Sequence, residues 1–329
     1  MQIPLIVVGA TLIVAMMLDI AWTTLSVSSG RGPVTGALGR GLWAVALKLG
    51  RSRRRLQLAG HLIVAGLLAT WIVLLWLGLF ALLSSDPLAV TDSTTQQPAS
   101  GLARLAFAAG AVAGAGAGYV AGKPIWQLVN NLGAVLGLAG AAMAVSHLIS
   151  LATAAVAARA TALRIAGLGR DPVSVVRSAI GTERGCQQLA QVLLDLTSPV
   201  AAMARQHLAF PELRYLQVVQ RKAAVEPNIV VLDEVVTLLR VGSPDCVGQV
   251  VLGPLRSALD DFLETVPLHR VPQEAPPLPD LSKLSQVLPQ IADGSQLQSA
   301  FAQERDRRRR LMALLQGAGW DWEEAVEGR

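Results

Sequence analysis

Few stretches of this 329-residue chain have residue types that suggest chemistry, and the most unusual is GAVAGAGAGYVAGKP, residues 110–124, with five glycines around Tyr119. Such a stretch can do three things. Gly116-Ala117-Gly118-Tyr119-Val120-Ala121 fits the G-x-G-x-x-A pattern that cradles a phosphate, which requires a strand before it, a helix after it and an acid about 20 residues on. Here the next acid after Asp92 is Asp171, and a long apolar run follows the glycines, so the phosphate reading fails. Gly110, Gly114 and Gly118 also stand at four-residue spacing, which lets apolar helices pack closely. Finally, a glycine-rich extended backbone can aim carbonyl oxygens at a dehydrated cation, because glycine tolerates the dihedral angles this demands.

The titratable groups in apolar surroundings are Asp19, His61 and His147, one in each of three runs. Lying on three separate segments, they do not form the paired polar set a membrane-embedded hydrolase needs. No Ser-His-Asp, Cys-His or metal constellation accompanies them, so neither an enzyme nor a cofactor is expected. His147 is read either as a pH-sensitive group lining a pore or as a neutral histidine hydrogen-bonded to a neighbouring helix. Gly133, Gly137 and Gly140, near it, suit close packing better than a gating bend. Asp260, Asp261 and Glu264 read as a solvated acidic face, without further metal ligands at the right spacing. Arg307 to Arg310 could touch anionic lipid, but a solvated helix paired with Glu304 and Asp306 is preferred. Trp320 and Trp322 read as apolar anchors that dock the C-terminal tail. Cys186 and Cys246 have no metal-ligand spacing and, on the cytoplasmic side assigned below, are expected to be reduced.

The elements that would position these residues follow from composition. The chain is 52% hydrophobic and only 16% charged, with mean hydropathy +0.47, whereas an ordinary soluble protein carries roughly 25% charged residues. From Ile3 to Leu25 the only charge is Asp19, from Leu56 to Ser85 the only titratable residue is His61, and from Pro124 to Ala158 it is His147. Each run exceeds the ~20 residues needed to span a bilayer, so three transmembrane helices are expected. The third run, 35 residues long, should continue beyond the membrane as a stalk. MQIPL has no basic n-region and no small-x-small site closes the first run, so that helix is expected to stay uncleaved. Residues 26–55 carry Arg31, Arg40, Lys48, Arg51, Arg53, Arg54 and Arg55 and no acid, while 86–103 carry Asp86 and Asp92 and no base. Bases accumulate on the cytoplasmic side, which places the N-terminus outside, residues 86–123 outside or dipping into the membrane, and the C-terminal part in the cytoplasm. The net charge of +5 reflects this topology, and with 4% aromatic residues there is no stacking platform for nucleic acid.

Between the outer Asp92 and Lys123, the apolar stretch from Ser100 or Gly101 to Ala113 is too short to span, the length of a re-entrant helix. Beyond Arg170, helical spacing dominates, with Asp171-Pro172 as a helix start and VPQEAPPLPDLS, 271–282, as a proline-rich connector. The expected fold is an all-α membrane protein: three transmembrane helices plus a re-entrant pore helix and loop, followed by an α-helical cytoplasmic domain. Its parts are an N-terminal transmembrane helix (1–30), a basic cytoplasmic linker (31–55), a pore-like domain (56–160), a cytoplasmic helical domain (161–270), and the connector with a helical tail (271–329).

A short helix, a glycine-rich turn and a spanning helix is the plan of a potassium-channel pore, and the whole chain resembles bacterial membrane proteins carrying a two-helix ion-channel domain. MLDIAWTTLSV (17–27) is similar to the end of such a protein's first helix. RSRRRLQLAGHLIVAGLLATWIVLLWLGLFALL (51–83) is similar to its basic linker and outer helix. LARLAFAAGAVAGAGAGYVAGKPIWQLVNNLGAVLGLAGAAMAVSHLISL (102–151) is similar to pore helix, filter and inner helix. HLAFPELRYL (207–216) and RRRRLMALLQGAGWDWEEAV (307–326) resemble the cytoplasmic tail. The family filter reads Thr-x-Gly-Tyr-Gly-Asp. By resemblance, Gly114 takes the Thr position, Ala115 the next, Gly116 and Gly118 the two glycines, Ala117 the aromatic position and Tyr119 the acid position. Cations would bind the carbonyls of Gly114, Ala115, Gly116, Ala117 and Gly118. With no Thr hydroxyl and no aromatic cuff, the resemblance implies a filter that is poorly potassium-selective or does not conduct. It implies a multi-pass plasma-membrane protein, a homotetramer if it forms a pore, with lipid and monovalent cations as partners. A non-conducting scaffold or sensor that uses the channel fold to assemble is the alternative.

Overall fold

The computed structural model describes residues 2–25, 32–50, 52–115, 118–180, 182–243, 245–266, 268, 270–278, 299 and 301–327. The chain divides into two compact units, one of residues 1–45 and 61–151, the other of 46–60 and 152–329.

The first unit is organised by helices long and apolar enough to cross a membrane: α1 (Ile3–Leu25), α3 (Arg53–Ser84) and α5 (Pro124–Ala166). α2 (Pro33–Leu49) is a helix where the sequence suggested only a basic linker. Glycines disfavour a helix by propensity, but the buried Thr35, Gly39 and Trp43 give it a packing face that outweighs this. α5 continues unbroken to Ala166, as the 35-residue apolar run predicts. The core joins Met16 and Ile20 of α1 to Trp71, Leu75, Leu79 and Leu83 of α3 and to Phe107, Ala108 and Ala111 of α4 (Gly101–Ala113).

A two-stranded ribbon stands beside α4. β1 (Val90–Asp92) pairs antiparallel with β2 (Tyr119–Ala121), with Val90 opposite Ala121 and Asp92 opposite Tyr119. Asp92 Oδ1 accepts from the Thr94 and Thr95 amides at 2.8 Å each, closing the turn after β1. The Ala99 amide then donates to Val90 O at 2.9 Å. Both the chain entering α4 and the chain following the glycines are thus fastened to β1.

The second unit is all-helical: α6 (Pro172–Ile180), α7 (Glu183–Ala209), α8 (Val225–Gly242), α9 (Gln249–Thr265) and α10 (Arg305–Gly317), together with the last residues of α2, the first turns of α3 and the end of α5. Asp171 caps α6 as its position before Pro172 predicts, with the Ser174 amide donating to Asp171 Oδ1 at 2.8 Å. α8 is buried all round from Pro227 to Leu239, the pattern of a central core helix. Trp320 and Trp322 are buried in this core, as expected of docking anchors.

The arginine run departs from the expected solvated helix. Arg309 pairs with Asp306 at 3.0 Å, but Arg308 is buried, donates from Nε to Glu234 Oε1 at 2.8 Å, and reaches the carbonyl of Pro277 at 2.9 Å. Arg307 Nε lies 2.9 Å from both oxygens of Asp233, and Arg310 donates to Leu263 O at 2.9 Å. Glu304 pairs with Arg256 instead of the run. The physical reason is that α8 carries Asp233 and Glu234 into the core, where buried carboxylates require cationic partners.

Candidate functional site

α4 begins at Ser100, whose Oγ accepts from the Ala103 amide at 3.3 Å, and ends at Gly114, which adopts φ +69°. This left-handed conformation is natural for glycine as a helix stop. The Gly114 and Ala115 amides close the helix on Ala111 O and Gly110 O, at 3.2 and 2.8 Å. Gly110, Gly114 and Gly118 therefore do not share one helix face, and the close-packing reading of that spacing is set aside. Packing glycines stand on α5 instead. A Cβ on Gly137 would collide with the Val112 carbonyl at the end of α4, and one on Gly133 with Leu79.

Depth follows from these contacts. Gly137 lies about 20 Å along α5 from Pro124, at 1.5 Å per residue, and α4 is about equally long. Five residues after Gly114, Tyr119 is paired with Asp92, so the chain returns from the C-terminus of α4 to the ribbon over at most about 18 Å.

Gly114, Ala115 and Gly118 are exposed, and among the described residues, chain neighbours aside, no atom stands within 4 Å of where a Cβ would sit on Gly114 or Gly118. The Gly118 carbonyl accepts from Ser93 Oγ at 2.9 Å, so it is occupied by the protein itself. Gly116 and Ala117 lie outside the described residues.

The ends of α3 and α5 are tied beside this loop by Asp86, a residue the sequence reading used only to orient the chain. Asp86 Oδ2 accepts from Lys123 Nζ at 2.7 Å and from Trp126 Nε1 at 3.1 Å, and Oδ1 accepts from the Leu88 amide at 2.9 Å. The Lys123 hydrogen bond, aided by that from Leu88, lowers its pKa to about 2. Arg104 of α4 donates to Pro87 O at 2.8 Å, and Trp76 of α3 to Leu105 O at 2.9 Å, which fixes the tilt of α4.

His147 is 7% exposed and sits edge-on to Trp71, with ring centroids 6.3 Å apart. It shares the inward side of α5 with Gly133, Gly137 and Gly140 and packs against α3 through Trp71. Asp19 is fully buried on the other side of Trp71. It accepts from Trp71 Nε1 at 2.8 Å and from the Val34 and Thr35 amides at 2.7 and 3.2 Å. One carboxylate from α1 therefore caps α2 and anchors α3.

In the second unit, Cys186 and Cys246 form a disulfide, with Cα atoms 5.0 Å apart. The expectation of two reduced, separate thiols did not foresee this pairing, which the structure shows in its bonded form. A spacing of 60 residues reveals nothing about proximity, and it is the docking of the α8–α9 turn on α7 that brings the two together. Among the described residues no group of three or more His, Cys, Asp or Glu could hold a metal ion. A cavity of about 30 Å³, lined by Arg159, His207, Gln217 and Glu226, has room for a water molecule only.

No family model matches the chain, and no solved structure does. It is 30% identical over 323 residues, 96% of its own length and 94% of the relative's, to a protein of Bacillus subtilis (strain 168) described as "uncharacterized membrane protein YdjJ". Identity sustained over nearly the whole of both chains, with three helices suited to crossing a bilayer, makes this chain a member of the YdjJ family of membrane proteins.

Proposed function

We propose that the protein is the subunit of a channel-like assembly, with a potassium-channel type of pore domain in which α3 is the outer helix, α4 a re-entrant pore helix, residues 114–118 a degenerate filter and α5 the inner helix. The observation that carries this reading is the path of the chain around α4. It runs one helix length through α4, whose Val112 packs on Gly137 about a third of the way along α5, stops at a left-handed Gly114, and is back on β1 at Tyr119. A close-packed hairpin of two helices has no need of such a return. The exposure of Gly114 and Ala115 fits a loop completed by other copies, about four around an axis. The side of α5 opposite its packing glycines carries Asn131, Val135, Ala142 and Ser146, all exposed at helical spacing, and would turn toward that axis. The basic 26–55 segment and Arg159, Arg164 and Arg170 favour a cytoplasmic placement of the second unit.

Monovalent cations would meet backbone carbonyls, with Gly118 O withheld by Ser93. With neither a threonine hydroxyl nor an aromatic behind the loop, selectivity for potassium over sodium is weak or conduction is lost. The bond from Ser93 to Gly118 also favours the second reading, a non-conducting scaffold or sensor that uses the channel fold to assemble. The test is oligomeric state in detergent followed by ion flux in proteoliposomes. A tetramer with cation flux supports the pore, a tetramer without flux the scaffold, and a monomer removes the pore reading.

A further inference from the structure

We propose that Cys186 and Cys246 form a reversible thiol-modification site, oxidised by low-molecular-weight disulfides, that joins the start of α7 to the α8–α9 turn. The proposal rests on the cytoplasmic placement of that unit given above. Persistent disulfides belong to oxidising compartments, and on the reducing side a bonded pair is typically transient and redox-sensing.

The geometry suits exchange. Cys186 lies in the first turn of α7, after the N-cap Thr182, where the positive end of the helix dipole favours the thiolate. Cys246 lies in the turn between α8 and α9, its amide donating to Ser243 O at 3.1 Å. Both residues are partly buried rather than sealed in the core, which leaves them within reach of a small disulfide. The fold does not depend on the bridge: the unit has a continuous apolar core from Val175 to Val326, unlike the small domains that need disulfides in place of a core.

The exchange balances with a disulfide RSSR as oxidant. One cysteine thiolate attacks RSSR, forming a mixed disulfide and releasing RS⁻. The second thiolate attacks the protein-bound sulfur, forms the Sγ–Sγ bond and releases another RS⁻. Two protein thiols are oxidised, RSSR is reduced to two RSH, and the two protons pass to the leaving thiolates. The product staples the start of α7 to the α8–α9 turn, within the unit that also holds the first turns of α3 and the end of α5.

The test is maleimide–polyethylene glycol labelling of the full-length protein in acid-quenched cells. The expected result is two adducts per chain at rest, none after diamide treatment, and two again after recovery, with Cys186→Ser giving one adduct at rest and, under diamide, a mixed disulfide detected as the added mass of one RS group that the unmodified protein lacks. Two adducts that persist through diamide overturn the proposal, and so does a complete lack of adducts at rest. In the latter case, Val250→Cys in a Cys186→Ser/Cys246→Ser background locates the unit, Val250 being 87% exposed. Labelling by an impermeant maleimide in intact cells would remove the cytoplasmic placement as well. Labelling only after permeabilisation would remove the switch alone.

Discussion

Asp86 Oδ2 accepts a hydrogen bond from Lys123 Nζ at 2.7 Å, so the second residue after α3 holds the residue that precedes α5. The partnership lowers the Asp86 pKa to about 2. A lowered carboxylate pKa adds stability that is present above its unfolded value, near 4, and lost as pH falls through the folded value. Since Lys123 is 45% exposed, screening reduces the contribution to about 1–2 kcal/mol. Asp86→Asn should lower the melting temperature of the detergent-solubilised protein at pH 7, and the difference from the unmodified protein should shrink between pH 4 and pH 2. An undiminished difference at pH 2 would show that the loss comes from packing.

Asp19 gathers three donors from two other helices in a fully buried site. Asp19→Ala leaves the Val34 and Thr35 amides and the Trp71 indole without an acceptor, at a cost of about 2–4 kcal/mol. Asp19→Asn keeps one oxygen acceptor and should recover part of the loss. Thermal unfolding of both variants checks the ranking, and equal stability of Asp19→Ala and the unmodified protein would refute the role.

Gly137→Val places a branched side chain against the Val112 carbonyl. It should displace the end of α4 and destabilise the first unit by about 1–3 kcal/mol, as overpacking does. Gly66→Ala on α3, where a Cβ meets nothing within 4 Å, is the matched control and should behave as the unmodified protein. Yield of monodisperse protein and thermal stability compare the two.

Arg308→Ala would leave Glu234 buried without its guanidinium, costing about 3–5 kcal/mol. Burial already pushes the Glu234 pKa up, with Arg308 opposing that shift. Removing Arg308 raises it further, so the variant's deficit should be small below about pH 4.5 and grow as pH rises. Protease resistance of the second unit measured across pH reads this trend, and a deficit independent of pH would contradict it.

The three apolar runs, the stop at the glycines and the docking tryptophans were legible because each depends on local composition. A long uncharged run can satisfy its backbone in lipid only as a helix, and a glycine-rich break after a largely apolar 13-residue segment ends one. The Asp171-Pro172 start was equally local. By contrast, nothing near Arg308 in sequence announces Glu234, 74 residues away, and nothing near Cys186 announces Cys246.

The sequence by itself determined which segments are apolar, where the helices break and how basic residues are distributed, since these follow from side-chain solvation and backbone freedom, residue by residue. Only the tertiary structure decided that His147 faces Trp71, that Asp19 caps α2, that Ser93 occupies the Gly118 carbonyl and that the arginine run neutralises buried acids. These pairings hold because burying a polar group is costly unless a partner arrives with it, and which partner arrives depends on how distant helices pack.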